Sequence, residues 1–174
     1  MSRRSQTEEM TAHLRSLKRY ALVLARNSAD ADDLVQETLL RALSAAETFR
    51  EGADMRVWLF RIMHNAHVSS GRRAQTRAAY LDAQSTLETP AAPATQHDRL
   101  EVKAVIEALD RLPEPQREAV ALMALEDIRY ADAAKVLGVP LGTFMSRISR
   151  GREALRRLVE GAGRNQPTPE GAKA

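Results

Sequence analysis

Thr143, Ser146, Arg147 and Arg150 recur at spacings of three and four, so on a helix they share one side. Arginine carries a planar fork of donors that fits the edge of a guanine or a phosphate. Threonine and serine are short enough to let a backbone come close. The chemistry open to this set is the reading of duplex nucleic acid. Covalent catalysis is not expected anywhere in the chain, because no stretch joins a nucleophile to a base and an orienting group. The sequence has no cysteine, which removes disulfides and thiolate metal sites, and no cofactor is expected.

These four residues need a helix held against a partner. The segment Leu112 to Leu158, LPEPQREAVALMALEDIRYADAAKVLGVPLGTFMSRISRGREALRRL, contains two helical patterns joined at Leu137-Gly138-Val139-Pro140. The glycine supplies a helix stop and the proline suits the start of a new helix. At 100° per residue from Leu141, Phe144, Met145, Ile148, Leu155 and Val159 form an inward stripe. Thr143, Ser146, Arg147, Arg150 and Arg157 form the outward one. The preceding helix, Tyr130 to Leu137, turns Ala133, Ala134 and Leu137 inward, and small residues there permit close crossing. A lone arginine-rich helix is as readily a solvated face. The alanine pair, glycine turn and double stripe arriving together select a helix-turn-helix.

The rest of the chain fits an all-α reading. Aromatic residues are 4% of 174, so Leu, Val, Ala and Met must build the core, which suits helical bundles better than sheets. The net charge is only +3, but the charges segregate. Asp30, Asp32, Asp33 and Glu37 cluster early, whereas Arg72, Arg73 and Arg77, then Arg147, Arg150, Arg152, Arg156 and Arg157, lie elsewhere. That segregation suggests one surface for nucleic acid and another for a basic partner. No apolar run is long enough to span a bilayer, and MSRRSQTEEM lacks the apolar core of a signal peptide. A cytoplasmic protein without membrane insertion is expected.

A first helix is expected from about Glu8 to Arg26, with Met10, Leu14, Leu17, Ala21 and Leu24 inward. Asn27-Ser28-Ala29-Asp30 then breaks the pattern and offers capping side chains. The next helix, Ala31 to Ala46, turns Leu34, Val35, Thr38, Leu39 and Ala42 inward, while Asp33, Glu37, Arg41 and Ser44 face out. Leu40 sits within that polar face, flanked by Asp33, Gln36 and Glu37. An apolar anchor ringed by charge is the pattern of a protein-binding hot spot. Scattered surface leucines are also common, and pattern alone leans slightly to that plainer reading.

A third helix is expected from about Asp54 to Tyr80, docked through Trp58, Leu59, Ile62, Met63 and Ala66. Its other side carries Arg61, His64, Asn65, Val68 and Arg72 and runs into Arg73, a nucleic-acid surface. Trp58, Phe49 and Phe60 are read as core rather than stacking platforms. His64 and His67 lack further ligands nearby in the sequence, so no metal site is expected.

From Ala83 to Asp98 two prolines and small residues replace the periodicity, the mark of a semi-flexible linker. The chain therefore divides into a first domain over 1–82, a linker over 83–98 and a second domain over 99–160. A disordered tail is expected over 161–174.

Together these residues resemble the extracytoplasmic-function (ECF) sigma factors, two-domain initiation factors of bacterial transcription. Ala31 to Ala42, ADDLVQETLLRA, is similar to the family's second region, which docks on the largest polymerase subunit. The resemblance puts Asp33, Gln36, Glu37 and Leu40 at that contact. Met55 to Arg73, MRVWLFRIMHNAHVSSGRR, is similar to the promoter-melting and minus-ten segment, which implies DNA contacts for Arg61, His64, Asn65, Arg72 and Arg73. The departures are Ser69, where many relatives carry aspartate, and Gly71. Thr48 to Asp54 occupies the place where the family captures a flipped base. Phe49 to Phe60, FREGADMRVWLF, is also similar to the family's general-stress group.

Leu112 to Leu158 is similar to the fourth region, which reads the minus-thirty-five element. Leu112-Pro113, Gln116-Arg117, Ala133-Ala134, Leu137-Gly138, Gly142-Thr143 and Ser146-Arg147 carry that match, and Thr143, Ser146, Arg147 and Arg150 are the implied contacts. The implied partners are core RNA polymerase, promoter DNA as duplex and melted strand, and an anti-sigma factor. The rival readings are a stand-alone two-domain helix-turn-helix regulator and an enzyme with an appended DNA-binding domain. The first would need a ligand pocket of converging polar groups, and the second a catalytic constellation; neither is legible in the sequence.

Overall fold

The computed structural model describes residues 3–50, 52–80, 108–125 and 128–163. Among them are seven α-helices and one 3-10 turn, with no strand. The first domain holds α1 (Arg3–Ala12), α2 (Leu14–Ala25), α3 (Ser28–Ser44), the turn Ala46–Thr48 and α4 (Met55–Tyr80). The second holds α5 (Glu114–Leu125), α6 (Tyr130–Val136) and α7 (Leu141–Gly163). The linker expected over 83–98 lies outside the described residues. So does the expected tail beyond 163, although α7 carries helix through its first three residues.

The single helix expected from Glu8 to Arg26 is two. The chain breaks at His13, whose N–H bonds the Met10 carbonyl at 3.1 Å. The break lets α1 bury Met10 while α2 buries Leu17, Tyr20, Ala21 and Leu24. Arg26 then closes α2 in the left-handed region at φ 64°. Asn27 caps α3, its side-chain oxygen accepting from the Asp30 N–H at 2.8 Å, which satisfies a donor the helix start leaves open. Asp54 does the same for α4, accepting from the N–H groups of Arg56 and Val57 at 2.9 and 3.2 Å.

The inward faces follow the 3.6-residue period. On α3 they are Ala31, Leu34, Thr38 and Ala42, with the Thr38 hydroxyl donating back to the Leu34 carbonyl at 2.6 Å. On α4 they are Met55, Leu59, Phe60, Met63 and Ala66. Trp58 is half-buried and rests on Phe49 with ring centroids 5.1 Å apart, so both rings serve packing.

In the second domain α6 stops in a full Schellman turn. The Val139 N–H bonds the Ala134 carbonyl at 3.0 Å and the Gly138 N–H bonds the Lys135 carbonyl at 3.2 Å. Gly138 takes φ 64°, which glycine adopts without a Cβ clash. Ala133, Ala134 and Leu137 are buried, as their spacing requires. On α7 the buried stripe is Phe144, Ile148 and Gly151. Met145, expected inward, is 50% exposed, because the stripe is centred about a quarter turn from it. Gly151 marks where α7 crosses α5: a Cβ there would stand 2.6 Å from Val120 Cγ2.

The two domains pack on each other, α2 against α5 and α4 against α6. Their buried apolar residues form one continuous cluster.

Candidate nucleic-acid interface

Two of the three expected interfaces are open in this arrangement. On α3, Asp33, Gln36 and Glu37 are exposed and Leu40 is 62% exposed, with Leu43 one turn on at 51%. These leucines are exposed although the inward face of the same helix is fully packed, so the apolar patch is not a by-product of poor burial. Glu37 is braced by Arg41, Nε to Oε1 2.7 Å, and Asp32 pairs with Lys18 at 3.0 Å. Asp33 stays clear of both pairs.

On the outward side of α7, Thr143, Ser146 and Arg150 are exposed. The Ser146 hydroxyl donates to the Thr143 carbonyl at 2.9 Å. Arg152, Arg156 and Arg157 continue the basic surface, the last two paired with Glu153 at 3.0 Å each. Arg147 differs from its neighbours. It is half-buried, and its positive charge is felt by both His64 and Glu118.

The α4 face divides. Arg61 and Asn65 are exposed. Arg72 and Arg73 lie on the same helix, but their side chains fall outside the described residues. His64 was expected outward with them and is instead 9% exposed. The reason is tertiary: the second domain covers that side of α4, which helical periodicity within one segment does not reveal.

The covered side forms a polar seam between the domains. His67 Nε2 lies 3.3 Å from Glu114 Oε1, and His64 Nδ1 lies 3.9 Å from Glu118 Oε2. The second separation is too long for a hydrogen bond, and His64 Nδ1 has no partner. Burial lowers the His64 pKa to about 4, helped by the positive charge near it, so the ring is neutral at ordinary pH. Burial first, then the neighbouring Glu114, raises the Glu118 carboxyl to about 7. Arg26 reaches across the same junction to Asp110 at 3.2 Å, and Arg19 donates to the Leu125 carbonyl at 3.1 Å.

Comparison with known proteins agrees with this architecture. A family model described as the Sigma2 domain of PhyR matches residues 10–64, and one for Sigma-70, region 4 matches residues 103–155. The chain is 38% identical over 157 residues to the ECF RNA polymerase sigma factor EcfG of Rhodopseudomonas palustris, covering 89% of this chain and 86% of the relative. This chain belongs to the ECF RNA polymerase sigma factors.

A second sigma factor, SigM of Mycobacterium tuberculosis, is 40% identical over 148 residues, 84% of this chain and 73% of its own length. Among solved structures, the sigma factor RpoE of Bartonella quintana in complex with the anti-sigma factor NepR superposes with TM-score 0.80 at 32% identity, covering 88% of this chain and 96% of that one. CnrH in complex with the cytosolic domain of CnrY gives 0.67 at 27% identity, over 92% and 90%. The first matched segment of this sigma factor contains α3, and the second contains the turn between α6 and α7. No helix among the described residues is long and apolar enough to cross a membrane. Sequence reasoning missed the glutamates of the seam, Glu114 and Glu118; the only signal was two acidic residues four apart on the first turns of α5.

Proposed function

We propose that this sigma factor is a dissociable promoter-specificity subunit, acting in the cytoplasm and without covalent chemistry of its own. It docks on core RNA polymerase through Asp33, Gln36, Glu37 and Leu40. Arg61, Asn65, Arg72 and Arg73 hold the melted minus-ten strand, and His64 joins them only when the domains part. Thr143, Ser146, Arg147 and Arg150 read the minus-thirty-five duplex. Phosphate contacts supply most of the affinity and base-edge contacts the selectivity.

The observation that carries the polymerase assignment is Leu40, 62% exposed on a helix whose other face is fully buried, with acidic and amide side chains around it. An exposed apolar anchor within a charged ring is the arrangement that binding hot spots take. Anti-sigma control of a stress-response or other signal-dependent regulon is part of the same proposal. The RpoE and CnrH structures, each solved with an anti-sigma factor or a cytosolic partner domain, support it by likeness.

The test is a pull-down on core polymerase. Glu37→Lys and Leu40→Asp each remove binding while the melting temperature stays within the scatter of surface substitutions. Full holoenzyme formation by both variants overturns the assignment.

A further inference from the structure

His67, Glu114 and Glu118 meet across the seam, their ligand atoms all within 4.8 Å of one another. We propose that they form a binding site for a divalent transition-metal ion, and that the ion clamps the two domains together. His67 comes from α4 in the first domain. Glu114 and Glu118 come from successive turns of α5 in the second.

The chemistry of the donors fits. One imidazole and two carboxylates form a borderline ligand set that suits zinc and its first-row neighbours. Bonds of about 2.1 Å in a tetrahedral shell place donor atoms roughly 3.4 Å apart. The 3.3 Å between His67 Nε2 and Glu114 Oε1 already matches that spacing.

A second observation points to a cation as the ligand. Glu118 is 5% exposed, and no hydrogen-bond donor among the described residues reaches its carboxylate. His64, directly across from it, is 9% exposed and has an unpartnered Nδ1. Buried carboxylates persist when they are paired or coordinate a metal. The seam therefore gathers two carboxylates beside an unpartnered imidazole nitrogen. Access is open at one end, where the Glu114 side chain is 59% exposed.

Because the ligands come from both domains, the site exists only when they are closed. Occupancy then shifts the closed-to-open ratio by a factor of 1 + [M]/Kd, about a hundredfold at a hundred times Kd. The inference rests on the packing of the domains and does not depend on the proposed function.

The experiment uses the untagged full chain, treated with chelator and dialysed. Calorimetric titration with Zn(II) is expected to show one equivalent bound at micromolar or tighter affinity. His67→Ala and Glu118→Gln should each weaken binding more than about tenfold, a loss that even an outer-shell change produces. Co(II) added to the unsubstituted chain should give visible absorption bands that Zn(II) abolishes, a readout independent of how the variants fold. Small-angle scattering should show the chain no less compact with Zn(II) than without it, and more compact than Glu118→Gln at the same Zn(II). The absence of one-equivalent Zn(II) binding and of Co(II) bands overturns the site, as does undiminished binding by both variants. Binding that leaves the chain more expanded overturns the clamp.

Discussion

Glu118 Oε2 and His64 Nδ1 face each other at 3.9 Å across the junction of the two domains, and neither side chain has a hydrogen-bond partner among the described residues. A buried polar pair of this kind costs free energy. It is tolerated because the apolar residues around it, continuous from one domain to the other, hold the arrangement. The same packing half-buries Arg147 and covers His64, while the α3 surface stays open. The closed chain therefore restricts nucleic-acid groups more than the surface proposed for polymerase.

Tyr20 lies against this junction. Its ring is fully buried edge-on to Phe60 with centroids 5.3 Å apart, and its hydroxyl has no partner. Burial, reinforced by the Glu118 charge, pushes its pKa well above 10. Removing an unsatisfied buried hydroxyl removes a desolvation cost. Tyr20→Phe is expected to leave stability unchanged or raise it by up to about 1 kcal/mol in urea unfolding. A loss of that size would mean the hydroxyl has a partner.

Glycines on α7 should split by position. Gly151→Ala forces a methyl to 2.6 Å from Val120 Cγ2, with the Gln116 carbonyl at 3.4 Å behind it. A stiff β-branched neighbour and a backbone atom leave little room to adjust, so a loss of about 1–3 kcal/mol is expected. Gly142→Ala meets nothing within 4 Å and should gain up to about 1 kcal/mol of helix propensity. Thermal melts of the two variants should move in opposite directions.

Much of the second domain was legible because it is specified locally. Ala133-Ala134, Leu137-Gly138 and Pro140 fix the turn between α6 and α7 by rules that span a few residues, and the turn follows them. The exposed setting of Leu40 was legible for the same reason. The burial of His64 and its approach to Glu118 were not, since the partners are 54 positions apart in the chain and periodicity within one helix carries no record of what covers it. Met145 was misread because its angle on the helical wheel sits at the edge of the stripe, where the true crossing point, set by Gly151, decides which side is covered.

Arg147 and Arg150 should separate base reading from backbone contact. Arg147→Ala is expected to cost about 1–3 kcal/mol on the preferred minus-thirty-five element and to flatten the preference among sequences. Arg150→Ala, at an exposed position, should weaken all duplexes alike and reduce the salt dependence by about one counterion. Binding of each variant, as holoenzyme, to a panel of upstream duplexes at several salt concentrations checks both. Uniform loss for Arg147→Ala would assign it to phosphate.

The most direct test of the whole account is transcription in vitro, with core RNA polymerase stripped of any specificity subunit and a promoter library randomised at both upstream positions. Adding this chain is expected to produce transcripts from a narrow set of templates sharing two separated elements, and Leu40→Asp should abolish them. Transcripts no more selective than those of core polymerase alone would contradict the account.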